Sequence, residues 1–465
     1  MPQHRRTGGQ PAATSSGRPQ GKAPRRITRP AMPSIVLALI YAGAIATVWL
    51  WWRDTPSIQG MGSIVTNAGL VLGLLSGYGF VMLVLLMARL PPLERGIGAD
   101  RLARWHAAGG RYVVCLVTGH VLAIGWGYAV TAHESVTSES VTLLTTYPDV
   151  LMATVAWILL LVIAGFSIRA ARSRLKYETW YYLHLYTYLA IALAFSHQFA
   201  NGQEFVSNAP ARIAWSAFYA VAGAGILWFR VLTPWVRAAR HRFTIQGVRE
   251  EAPGIVSVYI TGRKLDRLGA EPGQFFRWRF LCRGLWWQSH PYSLSAMPGG
   301  DLLRITVKAR GDHSSALAHL RPGTRLVAEG PYGAFTPALS TRKVLLIAGG
   351  VGITPIRAMF AALPKRMSKG ITLIYRASNP RDVVFRRELD AIAADRGAVV
   401  HYVLGSRAEL GYDPLSTESL QNGVPGLYRY EAYVCGPPGM TGAAVKSLRA
   451  AGLRRHRIHH ESFDF

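Results

Sequence analysis

The chain has 465 residues, half of them hydrophobic, and a formal net charge of +27; its length allows two or three domains. A soluble protein this basic would suggest nucleic acid, but long uncharged apolar runs in the first half place the charge at membrane edges, so no nucleic acid is expected. Cys115, Cys282 and Cys435 lie far apart without a CxxC pair, which points to neither a disulfide framework nor a cysteine zinc site.

Residues 1–30 carry seven Arg and Lys side chains among Pro, Gly and Ser and no acid, the composition of a disordered basic arm. Six apolar runs follow, roughly 33–52, 63–88, 106–130, 150–168, 178–199 and 210–230, and each is long enough to cross a bilayer as a helix. The connections after the second and fourth runs hold Arg89, Arg95, Arg101, Arg104, Arg169, Arg172, Arg174 and Lys176. Those after the first, third and fifth hold few basic residues and several acids: Asp54, Glu134, Glu139, Asp149 and Glu204. Positive charge marks the cytosolic side. The reading is a multi-pass protein of the cell membrane with both termini cytosolic, its six-helix domain spanning residues 31–235.

Four histidines are associated with these apolar runs, His106 and His120 with the third and His184 and His197 with the fifth. Ionisable groups at membrane depth are costly and are functional candidates by default. Spacings of 14 and 13 residues separate the members of each pair by about 20 Å along a helix axis. Both helices run in the same direction, so His106 would face His184 and His120 would face His197, giving two stacked bis-histidine haem sites. A 14-residue step returns to within about 40° of the same helix face, but a 13-residue step misses by roughly 140°. The fifth helix must therefore distort. Arg111, near the inner pair, could meet a haem propionate or reach the headgroups.

After Arg240 the composition turns soluble. Alternating stretches such as FTIQGV, IVSVYI and LLRITVKA read as a small antiparallel β-barrel over residues 241–340. From residue 341 to 465, KVLLIAGG running into VGITPIRAMFAAL, then ITLIYRAS and AVVHYVLGSR, read as an α/β nucleotide-binding domain with a parallel sheet. In the barrel, His290, Pro291, Tyr292 and Ser293 could cover a flavin face and bond its edge. Lys308, Ser314 and Ser315 lie where a strand meets a helix N-terminus suited to a pyrophosphate. In the last domain Gly349, Gly350, Gly352 and Thr354 form a strand-to-helix turn that a pyrophosphate can approach closely. Arg376, Ser406 and Arg407 follow strands at positions suited to a 2′-phosphate, which favours NADPH over NADH. Cys435, Gly436 and Pro437 would close the nicotinamide pocket.

In this order the motifs resemble those of the NADPH oxidase and ferric reductase family of transmembrane flavocytochromes b, with a cytosolic half similar to ferredoxin-NADP reductase. The resemblance spans the chain after the basic arm. It implies that His106, His120, His184 and His197 ligate two b-type haems, that HPYSLS and KARGDHSS bind FAD, that AGGVGITP binds the nucleotide pyrophosphate, and that CGPPGM, with Cys435, lies beside the nicotinamide. The family's terminal Glu-x-Phe matches Glu461-Ser462-Phe463, which assigns the flavin-covering aromatic to Phe463, with Phe465 as the alternative.

The implied reaction takes a hydride from NADPH and delivers single electrons across the bilayer, so FAD is needed between a two-electron donor and one-electron haems. Dioxygen, giving superoxide, is the first acceptor expected, since no extra metal-chelate motif is visible outside. A ferric chelate, a quinone or a partner protein are the alternatives, and Arg53 is a candidate basic residue beside the outer haem by position alone. The outer connections are short and indicate no obligate protein partner.

Overall fold

The computed structural model describes residues 32–55, 58–168, 175, 177–337, 343–365 and 370–463. The basic arm, most of the basic connection at 169–176 and Phe465 lie outside the described residues.

The first half is helical: α1 (Met32–Asp54), α2 (Gly60–Met87), α3 (Pro91–Gly96), α4 (Ala99–Ala132), α5 (Val136–Thr146) and α6 (Val150–Ser167), then α7 (Tyr177–Leu193), α8 (Phe195–Asn201), α9 (Gln203–Val206) and α10 (Ala209–Ile226). A π-helical turn, Leu227–Leu232, carries α10 into α11 (Thr233–His241). Among the described residues five helices are long and apolar enough to cross a membrane: Met32–Arg53, Gly60–Met87, Arg101–Ala132, Val150–Ser167 and Ala209–His241. The fifth of the six expected runs is not among them. The fifth run is split at Ala194, and neither α7 nor α8 reaches membrane-spanning length alone. The break has a local cause, because the Ala194 carbonyl accepts from two side chains, His197 Nδ1 at 2.6 Å and Gln198 Nε2 at 3.0 Å. Large apolar side chains such as Leu39, Ile45, Leu122 and Ile158 are exposed on the outside of this bundle, as expected where the solvent is hydrocarbon.

The second half opens with β1 (Thr244–Ala252), β2 (Ile255–Thr261), β3 (Phe275–Phe280), β4 (His290–Ser293), β5 (Leu302–Lys308) and β6 (Leu326–Tyr332), with a short helix α12 (Asp312–Ala316) after β5. A closed barrel was expected, but these strands form two three-stranded antiparallel sheets, ordered β1-β2-β5 and β4-β3-β6. Isolated bridges, Thr244 to Arg325 and Leu294 to Ile305, tie them. The strands themselves limit closure: β4 has four residues, and Pro291 within it has no N–H to donate. Phe276, Trp278, Phe280, Leu294 and Ile305 fill the core between the sheets.

The C-terminal domain has β7 (Lys343–Gly349), α13 (Ile353–Ala362), β8 (Ile371–Ala377), α14 (Arg386–Arg396), β9 (Val399–Leu404), α15 (Arg407–Leu410), α16 (Thr417–Gly423), β10 (Tyr430–Gly436), α17 (Pro438–Ala450) and β11 (Ile458–Ser462). Its parallel sheet is ordered β11-β10-β7-β8-β9. Leu346 and Ala348 pack on one face and Leu345 and Ile347 on the other, the alternation that buries both sides of a sheet. Strand order reverses between β7 and β10, so their carboxyl ends flank the crevice where such sheets bind ligands.

Three joints hold the parts together. The Tyr182 hydroxyl on α7 donates to the Trp287 carbonyl at 3.1 Å. Arg89, paired with buried Glu94 at 2.8 Å, lies 4.8 Å from the Tyr332 ring centre at the end of β6. Between the two reductase domains, Arg304 on β5 donates both terminal nitrogens to Glu388 on α14, at 2.7 and 2.9 Å, and Arg357 on α13 reaches the same carboxylate at 2.7 Å.

Candidate functional site

In the helical half the four expected imidazoles meet in the expected pairs. Ring centres of His106 and His184 lie 5.8 Å apart, and those of His120 and His197 6.4 Å apart. Between His184 and His197 the helix is interrupted at Ala194, where α7 ends and α8 begins. Three rings are held by backbone carbonyls through Nδ1: His106 to Leu83 at 3.2 Å, His120 to Gly69 at 2.8 Å, and His197 to Ala194. A carbonyl can only accept, so Nδ1 carries the proton and Nε2 keeps its lone pair, as a metal-binding imidazole requires. Gly73 gives His120 its place on α2, for a Cβ there would come within 2.6 Å of the ring. Trp180 stacks on His184 with ring centres 5.3 Å apart.

This donor set fits haem. Metal–imidazole bonds of about 2 Å on each side need the Nε2 atoms about 4 Å apart, and rings centred 5.8 and 6.4 Å apart can supply that. Among the described residues no cluster of three or more His, Cys, Asp or Glu could hold a metal ion. Two axial imidazoles suffice where a porphyrin brings the other four nitrogens.

In the flavin region β4 places Ser293 inward, and its hydroxyl is buried without a hydrogen-bond partner among the described residues. Such a group calls for a ligand, and this hydroxyl fits a flavin edge. Tyr292 donates toward or accepts from His313 Nδ1 at 3.1 Å, and the His290 and His313 rings lie 3.8 Å apart. Burial, then the neighbouring His290, pulls His313 down to about 3, so this aromatic wall is neutral at pH 7. Pro291 is exposed beside it. Ser314 does not face a ligand with its hydroxyl, which accepts from the Arg310 and Gly311 amides at 2.8 and 3.0 Å. Ser315 is exposed on α12, and Lys308 lies 4.0 Å from Asp382. A cavity of about 610 Å³ beside α12 is lined by Cys282, Arg283, Gln288, His313 and Arg321 among others. His313, Arg283 and Arg321 were not singled out from sequence, although the first stands inside the KARGDHSS stretch.

At the sheet crevice, the turns after β7 and β10 interlock. A Cβ on Gly352 would come within 2.2 Å of the Cys435 carbonyl, and one on Gly349 within 2.4 Å of Met440. Gly350 has φ +54° and open space where its side chain would be, which leaves backbone free to meet a pyrophosphate. Thr354 is buried and caps its own turn by donating to Val351 O at 2.9 Å. Cys435 is fully buried, its thiol pushed well up by burial and then by Glu461; it packs the turn. Gly436 and Pro437 continue that turn, and the Phe463 amide donates to Gly436 O at 3.3 Å. The residue after β11 is thus held at the crevice.

Arg376 ends β8 with Nη2 donating to Gly405 O at 3.0 Å and Nη1 buried without a partner among the described residues. Ser406 caps α15, its hydroxyl accepting from the Glu409 amide at 3.2 Å. Arg407 is paired with Asp413 at 3.2 Å, an acid that sequence reading passed over. The structure therefore brings Arg376 and Arg407 to one corner but leaves only Arg376 with an unpaired buried donor.

Comparison with known proteins assigns three regions. Residues 72–195 match the family described as ferric reductase like transmembrane component, 254–336 an FAD-binding domain, and 346–446 an oxidoreductase NAD-binding domain. An NADPH oxidoreductase of Mycobacterium tuberculosis is 28% identical over 51% of this chain and 63% of its own length. A flavohemoprotein of Pseudomonas putida is 33% identical over 46% of this chain and 56% of its own. The chain thus spans less than two thirds of these relatives. The FAD/NAD-binding domain of a Vibrio cholerae nitric oxide dioxygenase aligns with 48% of this chain and 97% of its own, at 25% identity and a TM-score of 0.40.

Proposed function

Its three matched regions, in this order, give the chain the architecture of ferric reductase and NADPH oxidase-like proteins and make its C-terminal half an NAD(P)H-dependent oxidoreductase module, and on that premise we propose that it carries electrons from cytosolic NADPH across the membrane to dioxygen. The overall balance is NADPH plus two dioxygen giving NADP⁺, a proton and two superoxide ions. Bound FAD would supply the conversion of a two-electron hydride into single electrons, and two b-type haems would supply one-electron relay sites within the bilayer. The chain's own residues bind and orient these groups. Ser293 would hold a flavin edge, Phe463 would cover the ring, Gly350 and its neighbours would admit the nucleotide, and Arg376 would take its 2′-phosphate. His106 with His184, and His120 with His197, would hold the haems.

The observation that carries this reading is the two imidazole pairs, with Nδ1 already engaged in three of the four rings. Dioxygen is placed first because it needs only a small approach to the outer pair. Haem content and the visible spectrum of the detergent-purified protein, before and after anaerobic NADPH with FAD, test it. Two haems per chain, reduced by NADPH, and a superoxide-dismutase-sensitive product are expected. Absence of haem would refute the electron path, and dismutase-insensitive reduction of ferric chelates would replace dioxygen as acceptor.

A further inference from the structure

Resting on the haem reading, we infer that Gln198 is the positioning residue of the outer imidazole pair. The problem it solves is one of phase. On an unbroken helix His197 would point roughly 140° away from His184, yet each faces its partner on α4. Between the two histidines the helix is interrupted at Ala194, whose carbonyl accepts from Gln198 Nε2 at 3.0 Å as well as from His197 Nδ1. A break held only by the ligand itself would move with the ligand. Gln198 anchors it elsewhere: its Oε1 accepts from Trp215 Nε1 on α10 at 2.8 Å.

Tyr219, also on α10, lies 3.4 Å from Gln198 Nε2 and donates to the Gly77 carbonyl on α2 at 3.3 Å. Space for this junction is kept on α2 by Gly77, where a Cβ would stand 3.2 Å from both Gln198 Oε1 and Trp215. One amide therefore joins α2, α8 and α10 at the residue next to His197. A primary amide in an apolar run is expensive unless satisfied. Here its oxygen and nitrogen both have partners. A leucine would fill similar volume at less cost, so what the glutamine adds is geometry: the angle at which α8 presents His197.

The test uses full-length protein purified in detergent, wild type beside Gln198→Leu and Gln198→Glu, with haem per chain and a potentiometric titration of the two haems as readouts. Loss of a supporting contact around a metal ligand weakens retention by about 10- to 100-fold. Gln198→Leu should lose the outer haem or shift its potential, leaving the inner haem and the flavin unchanged. Gln198→Glu keeps an acceptor for Trp215 but sets a carboxylate oxygen against the Ala194 carbonyl, so it too should lose the outer haem or shift its potential. If Gln198→Leu does not accumulate, Trp215→Phe removes one donor and should shift the outer haem alone. Two haems at wild-type potentials in whichever variant accumulates would overturn the inference, as would equal loss of both haems. A wild-type protein without haem would instead overturn the reading on which it rests.

Discussion

Replacing Arg376 with glutamine should remove most of the preference for NADPH over NADH, and Arg407→Ala should remove little. Both cations stand at the carboxyl edge of the sheet, but their situations differ. Arg376 Nη1 is buried and unpartnered among the described residues, while Nη2 is fixed on Gly405, so a phosphate there would complete a pre-oriented guanidinium. A charge-assisted hydrogen bond of this kind contributes about 1.5–3 kcal/mol, roughly 10- to 100-fold in KM. The Arg407 side chain is 59% exposed and already paired with Asp413, and exposed ion pairs are worth about 0–1 kcal/mol. Its loss should cost NADPH no more than about fivefold. Asp413→Asn should act in the opposite direction, freeing Arg407 and improving NADPH two- to fivefold by the same estimate. Steady-state reduction of a soluble dye by the flavin, run with each nucleotide, reads this without involving the haems, and NADH is the internal control because it lacks only the phosphate. Equal effects of Arg376→Gln on both nucleotides, or a larger effect at Arg407, would refute the argument.

Ser293→Ala should weaken FAD binding by about five- to tenfold, the cost of one lost bond of about 1–1.4 kcal/mol to a buried hydroxyl, measured as a lower flavin content per chain after desalting. His120→Ala should remove the outer haem and leave the inner, so haem per chain should fall from two to one; loss of both would mean that the pairs do not act separately. Glu388→Gln leaves Arg304, whose side chain is 6% exposed, without its anion. Breaking such a pair costs about 3–5 kcal/mol when fully buried, and partial exposure of Glu388 brings the expectation down to about 2–3 kcal/mol, or roughly 4–12 °C in the melting temperature of the reductase half. Acid should weaken the FAD domain well before its carboxylates titrate. Unfolded imidazoles bind protons near pH 6.5, whereas burial, then His290, keeps folded His313 neutral down to about pH 3. Stability is thus full above 6.5 and falls as pH drops from there toward 3, and a flat melting temperature between pH 7 and 5 would contradict it.

Much of this site could be read from residue order. The rings of His106 and His184, and those of His120 and His197, lie 5.8 and 6.4 Å apart although the 13-residue step alone would turn His197 away, and the glycine turns lie at the switch of strand order. What could not be read depends on contacts distant in sequence. Helical periodicity gives the direction of His197 only while the ladder is continuous, and the side chain that interrupts it, Gln198, is anchored on Trp215 of another helix. A polar residue beside a histidine at that depth was the available signal. Alternation identified the strands of the FAD domain but not their closure, which is decided by bridges such as Thr244 to Arg325. Hydroxyl-rich motifs overstated their contribution for a local reason: Ser314, Thr354 and Ser406 use their oxygens within their own turns, and only the pattern of occupied partners separates them from Ser293.

The last membrane helix does not stop at the bilayer edge. It runs through a π-helical turn to His241, where only Arg242 and Phe243 intervene before β1 begins. Two residues span at most about 7 Å, too short a leash for the reductase half to roam. With Tyr182 and Arg89 fastening it as well, the separation between the helical half and the reductase half is set by covalent chain length, like the throw of a fixed crank, rather than searched for by diffusion.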